Sequence, residues 1–102
     1  MSVFDAIGLM GHAGLGQVTF GADKIEWRDK SNATQLEVPK EKISAISFNM
    51  IGKRGYLRIE YTDKDWTRLD GFGKTDQEVL ADITKTNYNM TLAAESVSDD
   101  GS

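Results

Sequence analysis

The chain has 102 residues, room for one domain with one modest core, and with 39% hydrophobic and 27% charged residues it is too apolar for disorder and has no run that spans a bilayer. Three of the 16 acids, Glu95, Asp99 and Asp100, fall in the last eight residues, so residues 1–92 set twelve bases against thirteen acids, a net of −1 that argues against a nucleic-acid binder. Zero cysteines exclude a disulfide framework, a thiol nucleophile and a thiolate metal site, and residues 1–16 lack the basic stretch of a secretion signal, so an intracellular protein is expected.

Strand-like alternation, broken by Gly, Asp, Asn and Lys turns, predicts seven strands, at 3–9, 16–20, 24–28, 35–38, 43–49, 56–61 and 66–70. The turns Gly21-Ala22-Asp23 and Thr62-Asp63-Lys64-Asp65 are short and polar, which makes their flanking strands antiparallel hairpins. Pro39, the only proline, suits a strand end. Over 75–87 the period changes: Val79, Leu80 and Ile83 share one helical face. Thr75 and Glu78 have capping-box spacing, Thr-x-x-Glu, so the helix is expected to start there and to lay its apolar stripe on the open side of the sheet. Seven antiparallel strands and one C-terminal helix give a mainly β, pleckstrin-homology-like sandwich or barrel over residues 1–92, with 93–102 read as an acidic, disordered tail.

Motifs for small-molecule chemistry fail on inspection. Gly71-Phe72-Gly73-Lys74-Thr75 has the end of a phosphate-binding loop, but the motif needs glycine five residues before Gly73, where Arg68 stands. The first loop, 8–17, is rich in glycine, yet its only basic candidate is His12, too little charge for inositol phosphates. His12 also has no nearby Asp, Glu, Ser or Cys to form a relay, and no carboxylates pair in an apolar segment. No enzymatic activity, cofactor or metal is expected.

Two features point to protein contacts instead. Lys53, Arg54, Arg58 and Arg68 concentrate after Met50, interleaved with Glu60 and Asp70. Alternation puts Tyr56, Arg58 and Glu60 on one face and Leu57, Ile59 and Tyr61 on the other, with cross-strand ion pairs to Arg68 and Asp70 expected on the solvated side. Phe48, Met50, Ile51, Trp66, Phe72 and Tyr88 supply more large apolar surface than a small core needs, and aromatic and Met side chains are enriched at interfaces. Phe48, Met50, Tyr56, Arg58, Trp66, Phe72 and Tyr88 are therefore the candidate partner interface. From the residues alone, a protein-binding, a phosphoinositide-binding and a self-associating pleckstrin-homology-like domain stay open.

Leu69-Asp70-Gly71-Phe72, a following helix carrying Leu80, and Lys85-Thr86-Asn87-Tyr88 with Leu92 resemble the N-terminal domain of the small subunit of the FACT histone chaperone, the structure-specific recognition protein family. Phe4-Asp5-Ala6-Ile7, Gly16-Gln17-Val18, Ile25-Glu26-Trp27-Arg28, Ile43-Ser44 and Gly55-Tyr56-Leu57-Arg58-Ile59 extend the match in family order over about 90 residues. The chain departs from the pattern at Phe48, where the family usually has tryptophan, and at Gln77 and Thr84, where it often has aromatics. The resemblance implies a non-enzymatic, nuclear, chromatin-associated dimerisation module that pairs with the dimerisation domain of the large FACT subunit. It further implies that histones are reached indirectly through the complex, which reorganises nucleosomes in transcription, replication and repair, with no direct DNA or membrane binding by this domain.

Overall fold

A computed structural model of the protein describes residues 2–96. Eight strands appear: β1 (Ser2–Leu9), β2 (Leu15–Phe20), β3 (Lys24–Arg28), β4 (Thr34–Pro39), β5 (Ile43–Ile51), β6 (Arg54–Tyr61), β7 (Trp66–Phe72) and β8 (Ala93–Ser96). A 3-10 turn, Lys40–Lys42, follows Pro39, and one helix, α1 (Asp76–Tyr88), lies between β7 and β8. The seven expected strands are all present, each within two residues of its predicted ends. They form one sheet in the order β4-β3-β2-β1-β7-β6-β5-β8.

β1 joins the two halves of this sheet. Its first residues pair with β2, while Gly8 and Leu9 also pair with Asp70 and Leu69 of β7. Between Phe4 and Ile7, just before the pairing with β7 begins, β1 is bulged and Ala6 takes a φ of 58°. A bulge adds one residue to a strand and bends it, which turns β1 from one half of the sheet toward the other. Gly71 of β7 faces this bend with a φ of 114°, and a side chain there would come within 2.8 Å of the Ala6 carbonyl oxygen. Glycine is required at that position both by the backbone angle and by the close approach.

The alternation read from the sequence sorts side chains correctly. Val18, Phe20, Ile25, Trp27, Leu57, Ile59 and Leu69 point inward and are at most 2% exposed. Phe20, Phe4, Phe72 and Phe48 make a chain of edge-to-face contacts with centroids 5.7, 5.4 and 6.4 Å apart. These rings come from β2, β1, β7 and β5, so they tie both halves of the sheet through one core.

The helix sits where expected but its details differ. Its buried stripe is Leu80, Ile83, Thr84 and Tyr88, and Val79, predicted inside, is 49% exposed. Thr84 tolerates burial because its hydroxyl donates to Leu80 O at 2.7 Å. The predicted Thr75 cap is absent: Thr75 already has helical angles and its side chain caps nothing. Gly73 takes that part. Its N–H donates to Asp76 Oδ2 at 2.8 Å, and its carbonyl accepts from Asp76 N at 3.0 Å, two residues upstream of the expected start. At the other end Asn89 is left-handed and its N–H bonds to Lys85 O, while Met90 N bonds to Thr84 O, which closes the helix.

The C-terminal end of α1 is fastened to the first half of the sheet. The Tyr88 hydroxyl donates to Gly21 O at 2.8 Å and lies 3.2 Å from Lys24 O, and Asn87 Nδ2 reaches Phe20 O and Gly21 O. Beyond Leu92, where the tail was expected to begin, Ala93–Ser96 forms β8, parallel to β5 with Ala94 opposite Phe48. Such pairing uses backbone groups at a sheet edge and needs no alternating apolar residues, so the hydropathy pattern carries no sign of it. Residues 97–102, the rest of the expected tail, lie outside the described residues.

Candidate protein-interaction surface

On the outer face of the β1-β7-β6 region the register sets Tyr56 opposite Asp70, Arg58 opposite Arg68 and Glu60 opposite Trp66. Two guanidiniums directly opposed across a ladder repel one another. Each turns away onto an aromatic ring of the other strand. Arg58 lies over the Trp66 ring, 4.3 Å from its centroid, and Arg68 lies over Tyr56 at 4.1 Å. Each also meets a carboxylate two residues along its own strand: Arg68 Nη2 is 2.9 Å from Asp70 Oδ1 and Arg58 Nε is 3.4 Å from Glu60 Oε2. The expected cross-strand ion pairs are therefore replaced by pairs within each strand, and cation–π contacts take the cross-strand positions. The result is a charge-balanced, aromatic, half-exposed face whose side chains hold one another in place.

The seven candidate interface residues divide. Tyr56, Arg58 and Trp66 come together on this face. Met50 lies on the opposite side of β5–β6, half-buried at the core's rim, with its sulfur 3.1 Å from where a Gly55 side chain would begin. Phe48, Phe72 and Tyr88 are buried at 1%, 0% and 6% exposure and present no docking surface. Their aromatic area is absorbed by the core that eight strands and a helix enclose. Burial pushes the Tyr88 phenol up to about 12, and burial also raises that of Tyr61.

Beside this face lie Met10 and Leu15, which the sequence did not single out, and Ile51, counted there as surplus apolar surface but not among the seven candidates. Met10 continues β1 next to Arg68, its N–H donating to Arg68 O at 3.0 Å, and is 44% exposed. Leu15 at the start of β2 and Ile51 at the end of β5 are 49% and 56% exposed. Both border a groove of about 440 Å³ that also includes Tyr56 and Arg68. Their signal is positional: each adjoins a hairpin turn, and Met10 and Ile51 follow inward-facing neighbours and so point outward. Among the described residues no three His, Asp or Glu side chains gather into a possible metal site, and no helix is long and apolar enough to cross a membrane.

Across β2, β3 and β4 the outer surface is polar and shows Thr19, Glu26, Lys24 and Glu37, with Lys24 bonded to Glu37. Asp29, after β3, accepts hydrogen bonds from Ser31, Ala33 and Gln35, first among them the Ser31 hydroxyl, and its carboxyl is held down at about 2. These contacts shape the β3–β4 turn and leave no reactive group free.

A family model described as a POB3-like N-terminal PH domain matches residues 2–94. The chain belongs to that family. A relative of this POB3-like PH domain is "FACT complex subunit pob3" of Schizosaccharomyces pombe (strain 972 / ATCC 24843), 25% identical over 77 residues, 76% of this chain. The chain spans 15% of the length of that protein. Among solved structures it is similar to a chain in "Structure of the Spt16D Pob3N heterodimer", with a TM-score of 0.85 and 24% identity, covering 99% of this chain and 57% of that one. The "Vps36 N-terminal PH domain" superposes with a TM-score of 0.69 at 14% identity, over 87% of this chain and 77% of that one. Both likenesses show the pleckstrin-homology-like fold expected from the sequence.

Proposed function

We propose that this POB3-like PH domain is the heterodimerisation module of the small subunit of a FACT-type histone chaperone, and that it pairs with the dimerisation domain of the large subunit. The observation that carries the proposal is the exposed Tyr56–Arg68 and Arg58–Trp66 face, rich in the side-chain types that anchor protein interfaces and poor in unpaired charge. Membership of the POB3-like family supports it, as does likeness to a chain from a structure named for a heterodimer. In this reading the domain is not an enzyme, lies in the nucleus with chromatin, and contributes to nucleosome reorganisation in transcription, replication and repair through the complex. Histones are met by other parts of the assembly.

Isothermal titration of the chain with the dimerisation domain of the same organism's large FACT subunit tests this. Saturable 1:1 binding with a negative heat-capacity change is expected, since apolar surface is buried. Affinity should fall only modestly, and not collapse, between low and moderate salt, because most charges on the face are already balanced. Absence of heat and of co-elution at tens of micromolar sinks the proposal.

A further inference from the structure

We propose that the groove between the β1–β2 and β5–β6 hairpins is where the large subunit's dimerisation domain inserts an apolar side chain flanked by a carboxylate. This rests on the heterodimer reading above and names its docking point. The groove's walls include Leu15 and Ile51, two aliphatic side chains about half exposed at the ends of different hairpins, and both line about 440 Å³ of open space. Monomeric surfaces seldom keep large aliphatics together without a partner. The floor runs past Gly8, where a side chain would meet nothing closer than Leu15 Cδ2 at 3.6 Å. Packing therefore does not demand glycine there, unlike at Gly16, Gly55 and Gly71, and the space above Gly8 is free for an incoming side chain.

Charge specifies the rest of the occupant. Asp70 is the groove's only carboxylate, and Arg68 neutralises it. Arg54 stands at the rim beside Lys53, and among the described residues neither forms an ion pair. The groove thus offers a net positive rim in a chain of net charge −4, which selects an acidic group on the partner. Tyr56 and Arg68 belong both to the groove and to the aromatic face, so the two make one continuous surface, with Met10 bordering Arg68.

Two variants test the groove by independent routes. Gly8→Val fills the floor with a residue that suits a strand, and Arg54→Glu reverses the rim charge at an exposed site. Val79→Asp, on the exposed side of the helix, is the control. Each chain is titrated with the large subunit's dimerisation domain after its melting temperature is shown to be no lower than that of the unaltered protein. A loss of about tenfold or more in affinity is expected for both groove variants and none for the control, the size of effect seen at central interface residues. If the unaltered chain binds and both groove variants bind equally well, the docking point lies elsewhere and this inference is overturned while the heterodimer stands. If the unaltered chain does not bind, the heterodimer reading itself falls. Concentration-dependent self-association in light scattering that Gly8→Val abolishes would assign the groove to a second copy of this chain and overturn the inference as well.

Discussion

Two glycines one hairpin apart respond to the same substitution in opposite ways. A side chain at Gly16 overlaps the Arg28 carbonyl oxygen and comes within 2.8 Å of Trp27 Cζ2. Neither neighbour can give way freely. Arg28 is held in the β2–β3 ladder opposite Gln17, and the fully buried Trp27 donates from Nε1 to Ile7 O at 2.9 Å. Gly16→Ala must therefore open the ladder or displace the indole. Overpacking alone costs about 1–3 kcal/mol, and leaving the buried indole N–H unpaired costs about 1–3 kcal/mol more. A total near 3 kcal/mol is about 12–24 °C in melting temperature for a domain of this size. At Gly8 the added carbon meets only ordinary van der Waals contact, so Gly8→Ala should stabilise by about 0.5 kcal/mol through a less flexible unfolded chain. Urea unfolding of both variants, with equal slopes as the check on two-state behaviour, measures the difference. A Gly16→Ala loss below about 1 kcal/mol, or a Gly8→Ala loss of similar size, would show that close approach does not govern this hairpin.

Asp76→Ala should cost about 1 kcal/mol by freeing the Gly73 amide, whereas Thr75→Ala should stay within about 0.5 kcal/mol; the reverse order would restore Thr75 as the cap. Leu80→Ala, at 1% exposure, should lose roughly 2–4 kcal/mol in the same unfolding assay, and a change below about 0.5 kcal/mol would mean the helix is not docked. The Asp29 carboxyl, near 3.8 when unfolded, is lowered to about 2 by four donor groups, first among them the Ser31 hydroxyl, so its contribution is present above pH 3.8 and is lost as pH falls through about 2. Carbon-detected NMR titration should place its midpoint near that lower value, and a midpoint at the ordinary carboxylate position would rule out the turn's hydrogen bonds.

Strand alternation made most of the fold legible, because one inward face per strand is a property that a single residue's shift would reverse throughout. The helix was found for the same reason, but neighbouring apolar residues left its rotation ambiguous. Val79 and Leu80 sit about 100° apart, and burial of the polar Thr84, which satisfies its own hydroxyl, drew the stripe toward Leu80 and Tyr88. The cap was misplaced because Thr75 and Glu78 have the right spacing while Gly73 and Asp76, with the same spacing, hold the actual hydrogen bond. At the candidate surface, alternation put Tyr56 and Arg58 outside, where the structure has them. Phe48, Phe72 and Tyr88 were misjudged because the capacity of a core depends on tertiary closure, which residue counts do not express. The aromatic–arginine pairs needed the β6–β7 register, since only the direct opposition of Arg58 and Arg68 explains why each crosses to the other strand's ring.

The bonds from Tyr88 to the β2–β3 turn join residues 64 and 67 positions apart, and they bear on how the molecule is made. Contacts of such long range form late, after the entropy of closing the intervening chain has been met. During synthesis the β2–β3 hairpin leaves the ribosome before residue 88 is added, so its inner face and the Gly21 carbonyl meet water first. Closure follows once the helix has formed and Tyr88 latches onto a turn made more than sixty residues earlier.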